Sequence, residues 1–152
     1  MITLNIVCVG NLKEKFWQEA SKEYEKRLTK FCKVKITELA EQNKYENIEK
    51  IKEVEGEDIL KHIEGKAFLL DIGGVQYSSE EYARVIETSS FSVSTITLVI
   101  GGSYGVSEKV KQAIKDKISF GKATYPHNLA RIILLEQTYR AFMINGGGKY
   151  HK

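Results

Sequence analysis

The apolar residues of the chain fall into two alternating patterns. Short apolar runs rich in β-branched residues begin near positions 2, 33, 67, 95 and 118, and segments with apolar residues at helical spacing lie between them. Strands that alternate with helices favour a parallel sheet, because a parallel pair of strands needs a long crossover connection. The sequence therefore predicts an α/β fold, with a mostly parallel sheet and helices on both faces, in a single domain that spans residues 1–152.

The same patterns predict the bounds of each element. The strands are expected at residues 2–9, 33–39, 67–72, 95–100 and 118–120. The helices are expected at about residues 13–29, 47–63, 78–88, 107–117 and 128–144. Four-residue spacing predicts the buried stripe of the first helix at Phe16, Ala20, Tyr24 and Leu28. In the second helix the inward positions are predicted to be Ile48, Ile51, Val54, Ile59 and Ile63.

Two predicted strands end in loops that are suited to binding a ligand. The strand at 95–100 leads directly into Gly101-Gly102-Ser103-Tyr104-Gly105. Glycines allow positive φ angles and bring main-chain groups close to a ligand, which a Cβ would prevent. The strand at 118–120 leads into a second loop at 121–127. Parallel neighbours joined by a helix end at the same edge of a sheet, so we expect the two loops to close on one ligand.

Composition limits the class of protein. The chain has 152 residues, of which 42% are hydrophobic, which is enough for one buried core. It has no run of eighteen apolar residues and no signal-peptide pattern at its N-terminus, so we expect a cytoplasmic protein without a membrane span. Cys8 and Cys32 lack CxxC spacing, which predicts reduced structural thiols and no metal site.

Positive charge is concentrated in the last third of the chain, although the net charge is only +3. Residues 1–100 contain 14 Lys and Arg against 17 Asp and Glu, whereas residues 101–152 contain 9 against 3. These nine cations would suit a polyanion: Lys109, Lys111, Lys115, Lys117, Lys122, Arg131, Arg140, Lys149 and Lys152. A solvated, lysine-rich helix face explains the cations at 109–117 equally well.

The last predicted helix, at 128–144, is apolar around most of its circumference. A single sheet cannot cover such a helix, which favours a homodimer that shares it between two subunits. The glycines at 146–148 predict a flexible hinge, so the tail after them is expected to become ordered on binding. An aromatic ring, an imidazole and two cations in that tail suit stacking on a base and contact with phosphate.

The glycine loop allows three chemical interpretations. A dinucleotide site is disfavoured because the spacing is GGxxG rather than GxGxxG, and no acid lies between residues 117 and 135. The second interpretation is a small serine hydrolase, because Ser103 satisfies the G-x-S-x-G pattern and Glu136 and His151 follow in the expected order. The next helix begins too late for a nucleophile elbow, and His151 lies beyond the glycine hinge, which disfavours this interpretation as well.

The third interpretation is a nucleoside-bearing cofactor that is held by main-chain groups and apolar walls. Leu70, Gly101 and the loop at 120–125 would form its adenine slot. At these residues the chain resembles the ribosomal RNA large subunit methyltransferase H family, a minimal single-domain group within the SPOUT (trefoil-knotted) methyltransferases. The resemblance covers the whole chain and rests on four segments: Gly101-Gly102-Ser103-Tyr104-Gly105, Phe120-Gly121-Lys122-Ala123-Thr124-Tyr125-Pro126-His127, Glu136-Gln137-x-Tyr139-Arg140-Ala141 and Tyr150-His151-Lys152.

This resemblance implies a C-terminal trefoil knot and a defined reaction. The reaction is methylation, dependent on S-adenosylmethionine, of N3 of a pseudouridine in 23S ribosomal RNA, by a homodimer that acts on assembled ribosomes. Carried over residue by residue, the implied cofactor contacts are Leu70, Gly101, Phe120, Gly121, Lys122, Ala123, Thr124 and Tyr125. No metal and no membrane take part.

The resemblance also links the C-terminal tail with catalysis. It implies roles at substrate and cofactor for Tyr150, His151 and Arg140. We interpret His151 as the base that takes the N3 proton and Arg140 as the group that stabilises the developing negative oxygen. An ion pair of Arg140 with Glu136, one helical turn earlier, is an equally good structural role. The non-enzymatic alternative is a basic α/β module that binds ribosomal RNA without chemistry.

Overall fold

A computed structural model of the protein describes residues 1–152. Five strands and five helices alternate along the chain, as the hydrophobic pattern predicts. The strands are β1 (Thr3–Val9), β2 (Lys33–Leu39), β3 (Lys66–Gln76), β4 (Thr95–Ile100) and β5 (Lys117–Ser119). The helices are α1 (Lys15–Leu28), α2 (Ile48–Lys61), α3 (Ser79–Ser90), α4 (Glu108–Ala113) and α5 (His127–Asn145). Strands β2 and β4 have the predicted bounds, whereas β3 is longer than predicted and α4 is shorter.

All strands are parallel and form one sheet in the order β2-β1-β4-β3-β5. The prediction that β4 and β5 are neighbours is wrong, because β3 lies between them. The two loops nevertheless follow strand ends at one edge, since all the strands of a parallel sheet point the same way. Leu69 of β3 pairs with Val99 near the end of β4, so the β3 residues that follow Leu69 lie between the two predicted loops.

Side chains that alternate along the strands divide the core into two layers. On one face, Ile6 and Cys8 belong to a cluster with buried residues of α1, α3 and α5. On the other face, Val7 and Val9 belong to a cluster with buried residues of α2 and α4. Helices thus cover both faces of the sheet, as predicted.

The predicted buried stripe of α1 is wrong at its first position, because Phe16 is 61% exposed while Leu28 is fully buried. An α-helix turns by about 400° over four residues, so residues at four-residue spacing drift by about 40° per step. Over the three steps from Phe16 to Leu28 the drift carries Phe16 to the flank of the helix. Ile48 is likewise 47% exposed, in the first turn of α2, although it was predicted to point inward.

Strand β3 continues past its predicted end through Gly73 and Gly74. Its pairing with β5 shifts register between Leu70 and Val75, so the residues between these two bulge out of the regular ladder. A Cβ on Gly74 would lie 2.7 Å from the carbonyl carbon of Lys117, so only glycine lets the two backbones approach this closely. The bulge forms a wall at the carboxyl edge of the sheet.

Helix α5 is the longest helix and closes the face that α1 and α3 begin to cover. Leu134, Leu135 and Ala141 are buried in this layer, whereas Ile132, Ile133 and Met143 are only partly covered. None of the helices has the length and apolar character needed to span a bilayer. The trefoil knot that the resemblance implies remains a prediction.

Candidate active site

A cavity of about 570 Å³ lies at the carboxyl edge of the sheet, beside the bulge of β3 and the ends of β4 and β5. Its apolar walls include Ile100, Val106 and Ile118. Seven of the predicted cofactor residues line it: Leu70, Gly101, Phe120, Gly121, Ala123, Thr124 and Tyr125. The eighth, Lys122, is exposed and does not line the cavity. The structure thus brings together residues from the bulge of β3 and from the loops that follow β4 and β5.

The glycine loop after β4 is a tight turn. The Gly105 N–H donates to the Gly102 carbonyl at 3.0 Å, and Gly105 has a φ of 83°, which side-chain-bearing residues rarely adopt. The Ser107 hydroxyl then caps α4 by accepting from the Val110 N–H. All five residues of this turn, from Gly101 to Gly105, line the cavity.

The second loop is held by Ser119, a residue that the sequence analysis missed. The Ser119 hydroxyl accepts from the Gly121 N–H at 3.1 Å and donates to the Gly121 carbonyl at 3.0 Å. Ser119 is 3% exposed, and Gly121 has a φ of 117°. This geometry fixes the start of the loop that runs to Tyr125. A hydroxyl two residues before a glycine was its only sequence signal.

Two lysines lie at the wall of the cavity, one each from α2 and α4. Lys52 is 3.4 Å from Glu49 and Lys111 is 3.8 Å from Glu108, and both carboxylates are about four-fifths exposed. Such exposed pairs are weak, so both ammonium groups are available to an anion. Asp71 is the one carboxylate among the lining residues. Nothing in the local sequence of Lys52 pointed to this position.

The C-terminal tail packs on the second half of α5. The Tyr150 hydroxyl donates to Glu136 Oε1 at 3.0 Å, and Arg140 donates to the same oxygen from Nε at 2.9 Å. The Tyr150 ring makes an edge contact with Tyr139, with ring centroids 4.8 Å apart. Burial and the Glu136 carboxylate raise the pKa of Tyr150 to about 12, so its phenol keeps its proton at neutral pH.

His151 bridges α5 and α3. Its Nδ1 lies 3.1 Å from Arg140 Nη1 and its Nε2 lies 2.7 Å from Glu80 Oε1. Because a guanidinium can only donate, Nδ1 is the acceptor, and Nε2 carries the proton that is donated to Glu80. The hydrogen bond from His151 lowers the pKa of Glu80. Both imidazole nitrogens are therefore engaged by Arg140 and Glu80, so the hydrolase interpretation, which the sequence already disfavoured, gains no Ser103–His151 pair.

The predicted catalytic and cofactor residues do not meet within one chain. Arg140, Tyr150 and His151 do not line the cavity. His127, which does line it, is thirteen residues before Arg140 on α5. At the helical rise per residue this separation is about 20 Å along the axis. Each chain holds both groups of residues, but in different places.

The predicted cationic surface is smaller than the sequence suggested. Arg131 is buried and paired with Glu38, and the Lys117 ammonium donates to the carbonyls of Lys111 and Ile114. Arg140 is paired with Glu136. The cations that remain exposed and outside any ion pair are Lys109, Lys115, Lys122, Lys149 and Lys152.

Comparison with known proteins assigns the chain to a family. A family model described as "Predicted SPOUT methyltransferase" matches residues 2–151. The chain belongs to the SPOUT methyltransferase family. The resemblance drawn from the four sequence segments, and the methyltransferase class, are thereby confirmed.

Relatives of this SPOUT methyltransferase match it over nearly their full length. A "Ribosomal RNA large subunit methyltransferase H" of Lactobacillus acidophilus is 47% identical over 159 residues, which cover 99% of this chain and 100% of the relative. Proteins of the same name from Clostridium botulinum and Caldicellulosiruptor saccharolyticus are 47% and 42% identical, over 99% and 98% of this chain and 100% and 99% of their own lengths.

A solved structure is similar to this chain in fold. It is that of a putative methyltransferase of Legionella pneumophila in complex with the bound cofactor SAM. The likeness has a TM-score of 0.50 at 12% identity and covers 93% of this chain and 66% of the other. At this identity the likeness concerns the fold alone.

Proposed function

We propose that this SPOUT methyltransferase transfers a methyl group from S-adenosylmethionine to N3 of a pseudouridine in 23S ribosomal RNA, on assembled ribosomes in the cytoplasm. The observation that carries the proposal is the cavity at the edge of the sheet, which is built from Leu70, Gly101 and the loop that begins at Phe120. The name shared by the full-length relatives supports the ribosomal RNA substrate.

The cavity fits an adenosyl group in size and chemistry. Its volume of about 570 Å³ lies within the range of small-molecule sites. Apolar side chains such as Phe120 and Ile118 offer faces for a base, and the exposed main chain of Gly101 and Gly121 can pair with its edge. S-adenosylmethionine would supply an electrophilic methyl group on a sulfonium. The two loops would then hold the methyl group in line with its acceptor, and such positioning can contribute roughly 7–11 kcal/mol to lowering a barrier.

The tail is proposed to handle the acceptor base. The imide nitrogen must lose a proton before it is methylated, and the Nδ1 lone pair of His151 is the base. Glu80 orients the imidazole through its bond to Nε2. In the free protein the Arg140 guanidinium contacts Nδ1. When the pseudouridine binds, this contact is released, and Arg140 stabilises the negative charge that develops on the carbonyl oxygen of the pseudouridine. Tyr150 provides an aromatic face for stacking.

Two subunits are proposed to form each complete site, because the tail and the cavity are apart within one chain. Helix α5 carries partly covered apolar residues, including Ile132, Ile133 and Met143, which suit a symmetric contact with a second copy. An antiparallel pairing of two α5 helices would carry each tail toward the cavity of the other subunit. The exposed Lys109, at the start of α4, and Lys122, in the loop after β5, would then face ribosomal RNA.

The test combines binding with chemistry. We expect calorimetry to show binding of S-adenosylmethionine and light scattering to show a dimer at micromolar concentration. Ribosomes from a strain that lacks the protein should accept labelled methyl groups, and mass mapping should place the label on one pseudouridine. If the protein bound ribosomes but did not bind S-adenosylmethionine, the proposal would be overturned and a non-catalytic binding module would be favoured.

A further inference from the structure

Glu55 is a buried acid that the proposed chemistry does not use. It lies on α2 and is 5% exposed. Its Oε2 accepts from the Gln42 N–H at 3.0 Å, but its Oε1 is buried without any hydrogen-bond partner. Burial, with a smaller contribution from the nearby Glu41 carboxylate, raises the pKa of Glu55. A buried oxygen without a hydrogen-bond partner is not compensated for its loss of water, so this group lowers the stability of the fold.

The unpartnered oxygen lies against the glycine loop. A Cβ on Gly102 would be 2.7 Å from Glu55 Oε1 and 3.1 Å from Val9 Cγ1. Gly102 lines the cavity, whereas Glu55 does not. Glu55 therefore contacts the loop from outside the cavity, in the space that a side chain at position 102 would need.

The residue after Glu55 brings α2 against the far end of the same loop. A Cβ on Gly56 would be 2.6 Å from the hydroxyl of Ser107, the residue that caps α4. Helix α2 thus meets the segment between β4 and α4 at two points, at Gly102 and at Ser107. The hydrogen bond to Gln42 adds a third segment, the one that follows β2. One carboxyl group joins all three.

We propose that Glu55 is a positioning residue that sets the place of the glycine loop and, through it, the affinity for S-adenosylmethionine. Glu55 acts through the length of its side chain, which brings the carboxyl group to Gly102, and through its hydrogen bond to Gln42. Its negative charge is not needed. A Cβ at position 102 would have to displace the Glu55 carboxyl group, because Oε1 lies only 2.7 Å from the place it would take. This inference rests on the proposed function, since it requires the cofactor to bind at Gly101 and the loop that follows β5.

Calorimetric titration with S-adenosylmethionine tests the inference in the full-length protein, with thermal unfolding of each variant as a check on folding. We expect Glu55→Gln, which keeps the reach and removes the charge, to bind within about twofold of the unaltered protein. Glu55→Asp keeps the charge but shortens the reach, and we expect its Kd to rise about tenfold, or roughly 1.4 kcal/mol. Glu57→Gln and Glu57→Asp are matched controls on the exposed face of the same helix and should leave Kd unchanged.

The opposite ranking, with Asp tolerated and Gln not, would show that the charge matters and overturn the inference. Equal binding by both variants would overturn it as well. A cycle with Gly102→Ala gives a second measurement. Glu55→Ala opens space for the new methyl group, so the loss in the double variant should be smaller than the product of the single losses. Independent losses would contradict a contact through Gly102. Failure of the unaltered protein to bind at all would instead overturn the proposed function.

Discussion

Arg131 and Glu38 form an ion pair that ties the first half of α5 to the end of β2. Arg131 Nη1 donates to Glu38 Oε2 at 2.7 Å, and Nη2 donates to the Gly10 carbonyl at 3.2 Å. Arg131 is 3% exposed, whereas the Glu38 side chain is 42% exposed. The pair is therefore unequal, because only the cation is removed from water.

This inequality predicts unequal effects on stability. Glu38→Ala leaves a buried guanidinium without its counter-ion and should lower the free energy of unfolding by about 2–3 kcal/mol. Arg131→Met removes the buried charge and leaves a carboxylate that water can reach, so its loss should be about 1–2 kcal/mol. Urea unfolding at neutral pH measures both. A larger loss for Arg131→Met would contradict this account of the pair.

Gly121→Ala should weaken the binding of S-adenosylmethionine by tenfold or more, an effect of about 1.4 kcal/mol. Gly121 has a φ of 117° and open space around its Cα, so the added methyl group strains the backbone without a clash. Gly147→Ala is the matched control, because Gly147 has a φ of 70° and equally open surroundings but does not line the cavity. Calorimetry should show normal affinity for the control. Similar losses in both variants would indicate general destabilisation.

His151→Ala should lower the single-turnover rate of methylation while leaving the affinity for S-adenosylmethionine within about twofold, because His151 does not line the cavity. A general base of this kind contributes about 10²–10⁴-fold to a rate. Glu80→Gln, which still accepts a hydrogen bond from Nε2, should lose less activity. An unchanged rate for His151→Ala between about pH 6 and pH 9 would remove His151 from the role of base.

Lys122→Ala should weaken binding to ribosomal RNA uniformly and reduce the slope of log affinity against log salt by about one unit, as the loss of one phosphate contact requires. Lys61→Ala is the control. It is exposed at the carboxyl end of α2, which precedes β3 and so lies near the opposite edge of the sheet. Filter binding over a series of salt concentrations would separate them. If the salt dependence of RNA affinity were the same for both variants, Lys122 would not contact RNA.

The two buried thiols predict a loss of stability in alkali. Burial raises the pKa of Cys8 to about 11 and that of Cys32 to about 12, above the value of about 8.5 for an unfolded thiol. A raised pKa in the folded state contributes stability that is full below the unfolded pKa and is lost as pH rises through the folded value. Chemical unfolding between about pH 8 and pH 11 should therefore show a steeper loss in the unaltered protein than in a Cys8→Ala, Cys32→Ala variant.

Local sequence predicted the strands well because each strand is an apolar run bounded by glycine or charge. The bounds of β4 could be read from Thr95 to Ile100 since the glycine loop follows at once. The same loops marked the cavity, because glycines clustered after a buried strand have few other uses. Most of the cavity lining was therefore accessible to sequence analysis.

What local sequence could not predict depends on contacts between distant residues. Arg131 pairs with a residue 93 positions away, so its burial had no local signal. Glu55 looked like one more acid on a charged helix, and only the three-dimensional approach of α2 to Gly102 distinguishes it. The order of β3 and β5 was missed because chain order does not determine sheet order.

Helix α5 comes last in the sequence and seals the core layer that contains Leu28 and Ile86. Since synthesis proceeds from the N-terminus, that layer stays open to water until α5 has been synthesised. A chain that lacks α5 exposes the apolar residues of this layer and has no C-terminal tail, so chaperones and proteases should recognise such incomplete products of translation. The position of α5 in the sequence thus makes exposure of the apolar layer a signal that synthesis has not reached this helix.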